Sequence, residues 1–249
     1  MRLPYFKLAI IILLSVPIGP ALSAAEADSL RTASERFAWQ KLAVPTVMFS
    51  TGVAGTASNW FQTRINQPLK DFCAEIRGDN YLHFDDYIQY VPSAAYLGLG
   101  FAVKPEHGFA ERTMAACTAW AATVLLTQPL KYATGEMRPD ASGRNSFPSG
   151  HAAKAFVGAE LVRLEYGNGW GAAAYGIAVT TALMRIYNEK HWFNDLLGGA
   201  AVGIFAANAA YWLLPLERRL LRLEKDDNAI LAVPYCDGLS AGFSLAMRF

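Results

Sequence analysis

Beyond its first two dozen residues the chain alternates polar connections with four long stretches almost free of charge. These are Ile88 to Val103, Thr113 to Leu130, Trp170 to Met184 and Leu196 to Pro215. A fifth apolar run, Ala152 to Val162, is interrupted by Lys154 and Glu160. Apolar runs of this length without strict alternation read as helices, so the pattern predicts an all-α helical bundle. A bilayer-crossing helix wants about 20 mostly apolar residues, and several of these runs fall short or lean on Ala and Gly. Gly199 and Gly203 are four apart, the small-residue spacing that lets membrane helices approach closely. The same spacing suits close packing in a soluble bundle. The expectation is a multi-pass membrane bundle, with the soluble bundle as the alternative.

The two ends break this pattern. Arg2 and Lys7 precede an apolar run from Leu8 to Leu14, then Pro17, Pro20 and the small residues Ala21 to Ala25, the layout of a secretory signal peptide. An uncleaved anchor helix is the competing reading, which the prolines disfavour. At the other end Ala241 to Phe249 alternates with a period of two, which argues a strand. Asp237-Gly238 can turn it back on Ile230 to Tyr235 as a hairpin.

If the leader delivers Glu26 to Asp86 to the periplasm of a bacterial cell, the five runs cross inward and outward in turn. Residues 131–151 and 185–195 then fall on one outer face. Lys104, Arg112, Arg163, Arg218, Arg219, Arg222 and Lys225 gather opposite, as the positive-inside tendency expects. Gln40 to Thr56 reads as a membrane-lying or partly buried helix, and its crossing would upset that parity. Phe61 to Asp86, mixed in charge and turn residues, reads either as a cap over the site or as a connection.

Composition narrows the chemistry. The 249 residues carry a formal charge of +1, which gives no electrostatic case for nucleic acid. Cys73, Cys117 and Cys236 are too few and scattered for a disulfide framework or a zinc site. His83, Asp85 and Asp86 lack metal-ligand spacing and read as a solvated surface, so no metal or other cofactor is expected.

Three clusters carry the chemistry: Lys131 with Arg138-Pro139, then Pro148-Ser149-Gly150-His151, then Arg185 with His191 and Asp195. Three cations, two imidazoles and one carboxylate are the inventory for holding a phosphate and breaking its ester bond. Arginine offers a planar fork to phosphate oxygens and lysine a point charge. Ser149-Gly150-His151 opens a helical run, where backbone amides favour anions and Gly150 lets the main chain approach. Ser149 reads as a phosphate contact or as that helix's cap. His191 and Asp195, four apart, would share a helix face, the carboxylate holding one ring nitrogen and leaving the other free as a nucleophile.

These clusters resemble the motifs of the type 2 phosphatidic acid phosphatase superfamily, which includes bacterial class A acid phosphatases and vanadium haloperoxidases. The resemblance covers roughly residues 88 to 215. One position departs: Met184 stands where the family usually has Ser. The resemblance implies phosphate binding by Lys131, Arg138, Ser149, Gly150 and Arg185. It further implies His191 as nucleophile, Asp195 as its partner and His151 as the acid that protonates the leaving oxygen and later activates water. On this reading residues 1–24 are a signal peptide, 25–87 a periplasmic region, 88–216 the catalytic helical core and 217–249 a tail with the hairpin. The implied function is a metal-independent phosphatase of the membrane-associated bacterial lipid phosphatase branch, working through a phosphohistidine at the periplasmic face of the inner membrane. Its substrate would be a phosphorylated lipid of the phosphatidate, undecaprenyl pyrophosphate or lipid A kind. A soluble periplasmic acid phosphatase is the alternative; a vanadate-holding haloperoxidase and a silent lipid-binding scaffold are disfavoured.

Overall fold

The computed structural model describes residues 40–221, 230–236 and 241–247. The leader, the residues before Gln40, Arg222, Lys225 and the Asp237-Gly238 turn lie outside the described residues.

Seven helices of eight or more residues organise the described chain: α1 (Gln40–Ala57), α2 (Gln67–Arg77), α3 (Val91–Gly98), α4 (Phe109–Thr134), α5 (Gly150–Tyr166), α6 (Asn168–Tyr187) and α7 (Phe193–Leu220). Their ends follow local chemistry. Ser149 caps α5 through its side chain, and Gly135, left-handed at φ +56°, stops α4. Strands β1 (Ile230–Cys236) and β2 (Ala241–Met247) pair antiparallel, Ile230 opposite Met247 and Cys236 opposite Ala241.

The core centres on α5, which is buried on nearly every side by α3, α4, α6 and α7. Val157, Leu161 and Ala159 pack there with Tyr96, Ala178, Ile186 and Ala207. Two glycines set the closest crossing. A Cβ on Gly199 would stand 2.4 Å from the Ser149 carbonyl oxygen, and one on Gly203 2.4 Å from that of Ala153. No side chain fits in either space, so α7 rests on the α5 backbone. Glu160, charged and buried mid-helix, is satisfied by Arg163, Tyr175 and Asn208.

The apolar runs became α4, α5, α6 and α7 with ends displaced by a few residues, but Ile88 to Val103 did not become one helix. It divides into the turn Asp85–Ile88, α3 and a 3₁₀ turn, Leu99–Phe101. Eight helical residues rise only about 12 Å against a hydrocarbon thickness of about 30 Å. Among the described residues, length and composition qualify one helix, Phe193–Leu220, to cross a membrane, and 67% of its qualifying window is buried inside the protein. The expected multi-pass pattern is thus not carried by helix length and composition. Ala- and Gly-rich runs score as apolar whether they face lipid or a close-packed neighbour.

Helix α1 runs antiparallel to α7. Its Gly55 packs on Asn194 and its Gly52 near Gly198, while Pro45 faces Val202 and Phe205 across an apolar cavity of about 600 Å³. Gln40 therefore starts away from the end that holds the three clusters, which corrects the topology that put all of 26–86 on the site face. Several basic residues expected opposite the site do lie at the far ends of the helices that carry it, where they bond within the protein. Arg112 is buried and donates to the carbonyls of Tyr96 and Leu97 and to the Tyr166 hydroxyl, and Arg218 pairs with Glu111 at 2.7 Å.

Candidate active site

The turns between helices bring the three clusters to one end of the bundle. Lys131 lies in the last turn of α4, Gly150 and His151 open α5, and Arg185 ends α6. A tight turn, in which the amides of Lys190 and His191 both donate to the Arg185 carbonyl, delivers His191 to the start of α7. Lys131, Arg138, Gly150, His151, Arg185 and His191 line one cavity of about 270 Å³. The larger apolar cavity lies across α4, lined by Leu125, Leu126, Pro129 and Leu130, whereas Thr123, Thr127, Gln128 and Lys131 face the polar one.

The nucleophile candidate is deeply set. His191 is 2% exposed, with Nδ1 3.4 Å from both Asp195 Oδ2 and Ser146 Oγ. Ser146 Oγ donates to the same carboxylate oxygen at 2.5 Å, and the Trp192 amide donates to it at 2.7 Å. Burial pushes the imidazole down to about 4 despite the opposing pull of Asp195, and the charges of Lys131 and Arg185 push the same way. The ring is therefore neutral at pH 7, and Nδ1, not Nε2, is the nitrogen beside Asp195. The pairing arises differently from the expected helix face. Helix α7 begins only at Phe193, so Asp195 reaches back over its first turn as an N-terminal cap.

Of the cations, Lys131 donates to the Asn145 carbonyl at 2.7 Å. Burial and then the Arg138 charge lower its ammonium to about 8. The loop carrying Arg138 is pinned by Lys190 on Asp140 at 2.8 Å, Lys70 on the Pro139 carbonyl at 3.0 Å and the Trp192 indole on the Met137 carbonyl at 2.7 Å. Nε of Arg138 and of Arg185 is buried with no partner in the protein, a costly state unless an anion completes it. Ser149 is fully buried, accepts from the Ala152 amide at 3.4 Å and does not line the cavity, which is the geometry of its capping reading.

Four residues at or beside the site were given no role there by the sequence reading. Lys154 also lines the cavity, one turn from Gly150; a lone lysine in an alanine-rich helix was the available signal. Glu136 bonds Asn194 through both oxygens, at 3.1 and 3.2 Å. Burial, reinforced by the Asp195 charge, lifts its carboxyl far above the usual range, so it holds its proton. Asp85, expected on a solvated surface, is buried and accepts from Arg185 Nη1 at 2.5 Å and Asn188 Nδ2 at 3.1 Å. Asp86 accepts from His151 Nε2 at 2.8 Å. These contacts correct the solvated-surface reading, because segments 65 and 100 residues distant supply the partners. His83 itself is exposed.

Asp85, Asp86 and His151 present donor atoms within 4.8 Å of one another, a set that could hold a metal ion. Arg185 Nη1 already bonds Asp85 and lies 3.5 Å from Asp86, so a metal there would compete with a guanidinium.

Lipid A 1-phosphatase of Porphyromonas gingivalis is 46% identical over 89 residues, covering 34% of this chain and 20% of that protein. A PA-phosphatase related-family protein of Dictyostelium discoideum is 24% identical over 151 residues, 49% of this chain and 56% of that one. The matched segments thus span about a fifth and just over half of these relatives. The crystal structure of Aquifex aeolicus LpxE gives a TM-score of 0.47 at 23% identity, covering 59% of this chain and 94% of that one. That of the first transmembrane PAP2 type phosphatidylglycerolphosphate phosphatase from Bacillus subtilis gives 0.49 at 20%, covering 74% and 98%. The segment that carries all three clusters, residues 112–219, matches the model of the PAP2 superfamily.

Proposed function

We propose that this chain hydrolyses the phosphate ester of a lipid through a phosphohistidine on His191. The observation that carries the reading is the single cavity in which a buried neutral imidazole meets a second imidazole and the cations Lys131, Arg138 and Arg185. A phosphate monoester brings nearly two negative charges, and attack on phosphorus needs fixed donors for its equatorial oxygens. The two orphaned guanidinium Nε groups and the amides at the α5 N-terminus meet that need.

In the first half-reaction Nε2 of His191 attacks phosphorus, the ester P–O bond breaks, and the leaving oxygen takes a proton from His151. In the second, His151 removes a proton from water as its oxygen attacks the phosphohistidine. The N–P bond breaks, its electron pair returns to His191, and inorganic phosphate leaves.

A lipid substrate is supported by the sequence similarity to a lipid A 1-phosphatase and by the outer faces of the helices. Val44 and Val47 on α1, Val124 and Leu125 on α4, Leu183 on α6 and Phe205 and Leu213 on α7 are large apolar side chains exposed on those faces. The lipid A, phosphatidate and undecaprenyl pyrophosphate classes share the phosphate chemistry, and a panel of these lipids with purified protein separates them. Hydrolysis of none, with phosphate released from water-soluble esters, would instead support the periplasmic acid phosphatase. Carbonate extraction distinguishes that second reading by releasing the protein from membranes.

The orientation is tested by thiol labelling in spheroplasts, with Cys73, Cys117 and Cys236 replaced by serine. A cysteine at Ser142, exposed beside the site, reacts with an impermeant reagent, and one at Glu106, exposed at the other end, does not. The reverse result places the site in the cytoplasm, and labelling at both supports the soluble enzyme.

A further inference from the structure

We propose that Asp86 is the positioning carboxylate of His151, forming with it a second histidine–aspartate pair that readies the ring to protonate the leaving group. This rests on the phosphatase reading above.

Asp86 is not a freely moving surface acid, although 49% of its side chain is exposed. Its neighbour Asp85 is buried and bonded to Arg185 and Asn188. Asn188 also clamps the backbone of Leu82, accepting from its amide at 3.2 Å and donating to its carbonyl at 2.6 Å. On the other side the buried Gln89 donates to the Asp86 carbonyl at 2.7 Å. The turn is therefore fixed from both flanks, and it sets the Asp86 carboxylate 2.8 Å from His151 Nε2.

The charges around His151 explain why such a partner is needed. Arg185 from α6, Lys131 from α4, Arg138 from the loop and Lys154 from its own helix share the cavity with it, alongside the neutral His191. Burial and the Arg185 charge both favour the deprotonated ring, and Asp86 is the group that opposes them. An acid that must carry a proton at the start of the reaction cannot be left among cations alone. With Nε2–H held by Asp86, Nδ1 has no hydrogen bond among the described residues. It is the nitrogen that gives its proton to the leaving oxygen and later takes one from water, while Nε2 keeps its proton throughout.

The experiment compares wild type, Asp86→Asn and Asp86→Glu in the full chain. p-Nitrophenyl phosphate serves as an activated ester and phosphatidate in mixed micelles as an alkyl ester. Asp86→Asn is expected to lower kcat on phosphatidate about 100-fold. The loss on p-nitrophenyl phosphate, whose leaving group needs little protonation, stays within about 5-fold. Asp86→Glu recovers part of the loss. Independently of turnover, nuclear magnetic resonance should show the His151 ring of Asp86→Asn titrating at lower pH than in wild type. Equal loss on both esters or an unchanged His151 titration would overturn the proposal. So would a gain in activity, which would mark Asp86 as a competitor of phosphate. If wild type turns over neither ester, the phosphatase reading fails, and the titration still decides whether Asp86 governs the ring.

Discussion

His191 and His151 each meet a carboxylate through one ring nitrogen, but the protein builds the two pairs by opposite means. His191 and Asp195 are four residues apart, 2% and 0% exposed, and separated by 3.4 Å within a mesh that includes Ser146 and the Trp192 amide. His151 and Asp86 are 65 residues apart, 24% and 49% exposed, and joined at 2.8 Å across two elements. The difference matches the two tasks proposed for these rings. A nucleophile must be neutral and shielded from water, which burial achieves at the cost of a low pKa. A proton carrier must exchange with water between half-reactions, so it cannot be sealed.

Removing each ring should separate the pairs most. His191→Ala abolishes the acid-labile phosphoenzyme seen on quenching and lowers turnover by on the order of 10⁴-fold or more. His151→Ala still forms the intermediate from p-nitrophenyl phosphate. Phosphoenzyme of wild-type amount in His191→Ala would end the nucleophile assignment.

Next in size is the loss of the buried carboxylate. Asp195→Asn keeps the shape but deprives Nδ1 of its acceptor, and kcat should fall about 10³-fold on both ester types. That uniform loss contrasts with the leaving-group dependence expected at Asp86. A leaving-group-dependent loss at Asp195 would erase the distinction between the pairs.

The pairs also part along the pH axis. Activity should collapse as pH falls through about 4, where His191 gains a proton and its lone pair is lost. On the alkaline side Lys131 loses its charge as pH rises through about 8, so KM climbs about 10-fold over the next unit while kcat changes less. A steady-state pH profile of Lys131→Arg, whose charge persists, should lack that rise in KM; if the rise remains, another group causes it.

The smallest effect is expected at Glu136, the second carboxyl beside the buried pair. Because Glu136 is protonated, Glu136→Gln should keep kcat within about 3-fold at pH 7. Glu136→Ala, which removes both Glu136 acceptors from Asn194 Nδ2 and leaves it only the 3.4 Å contact with Asp195 Oδ1, should lower the melting temperature, read by thermal unfolding, for a loss of about 1–3 kcal/mol. A large loss of activity in Glu136→Gln would mean that the residue works as an anion.

The same contrast shows what the sequence could reveal. Lys131, Arg138, Gly150, His151, Arg185, His191 and Asp195 were legible because each cluster is short and its spacing local. Asp86, Asp85, Glu136 and Lys154 were not, since their roles depend on contacts between segments far apart in the chain. The helical runs were found within a few residues, but their surroundings were not. Hydropathy along a run cannot distinguish Leu125, which is 71% exposed on α4, from Leu161, which is sealed within α5. The run from Ile88 also hid a break. Pro92 sits in the first turn of α3, and at Gly100, just past its end, a Cβ would meet the Arg112 guanidinium at 2.2 Å.

The contact of α7 with the α5 backbone at Gly199 and Gly203 has a consequence for redesign. His151 opens one of these helices and His191 precedes the other, so the distance between the two imidazoles is set by main chain resting on main chain. The walls around them come from elsewhere: Thr123, Thr127 and Gln128 from α4, and the turn that carries Asp86. A library varied at Thr123, Thr127 and Gln128 would therefore explore new head groups while the ruler between the two imidazoles stays fixed. A library at Gly199 or Gly203 would lengthen the ruler itself.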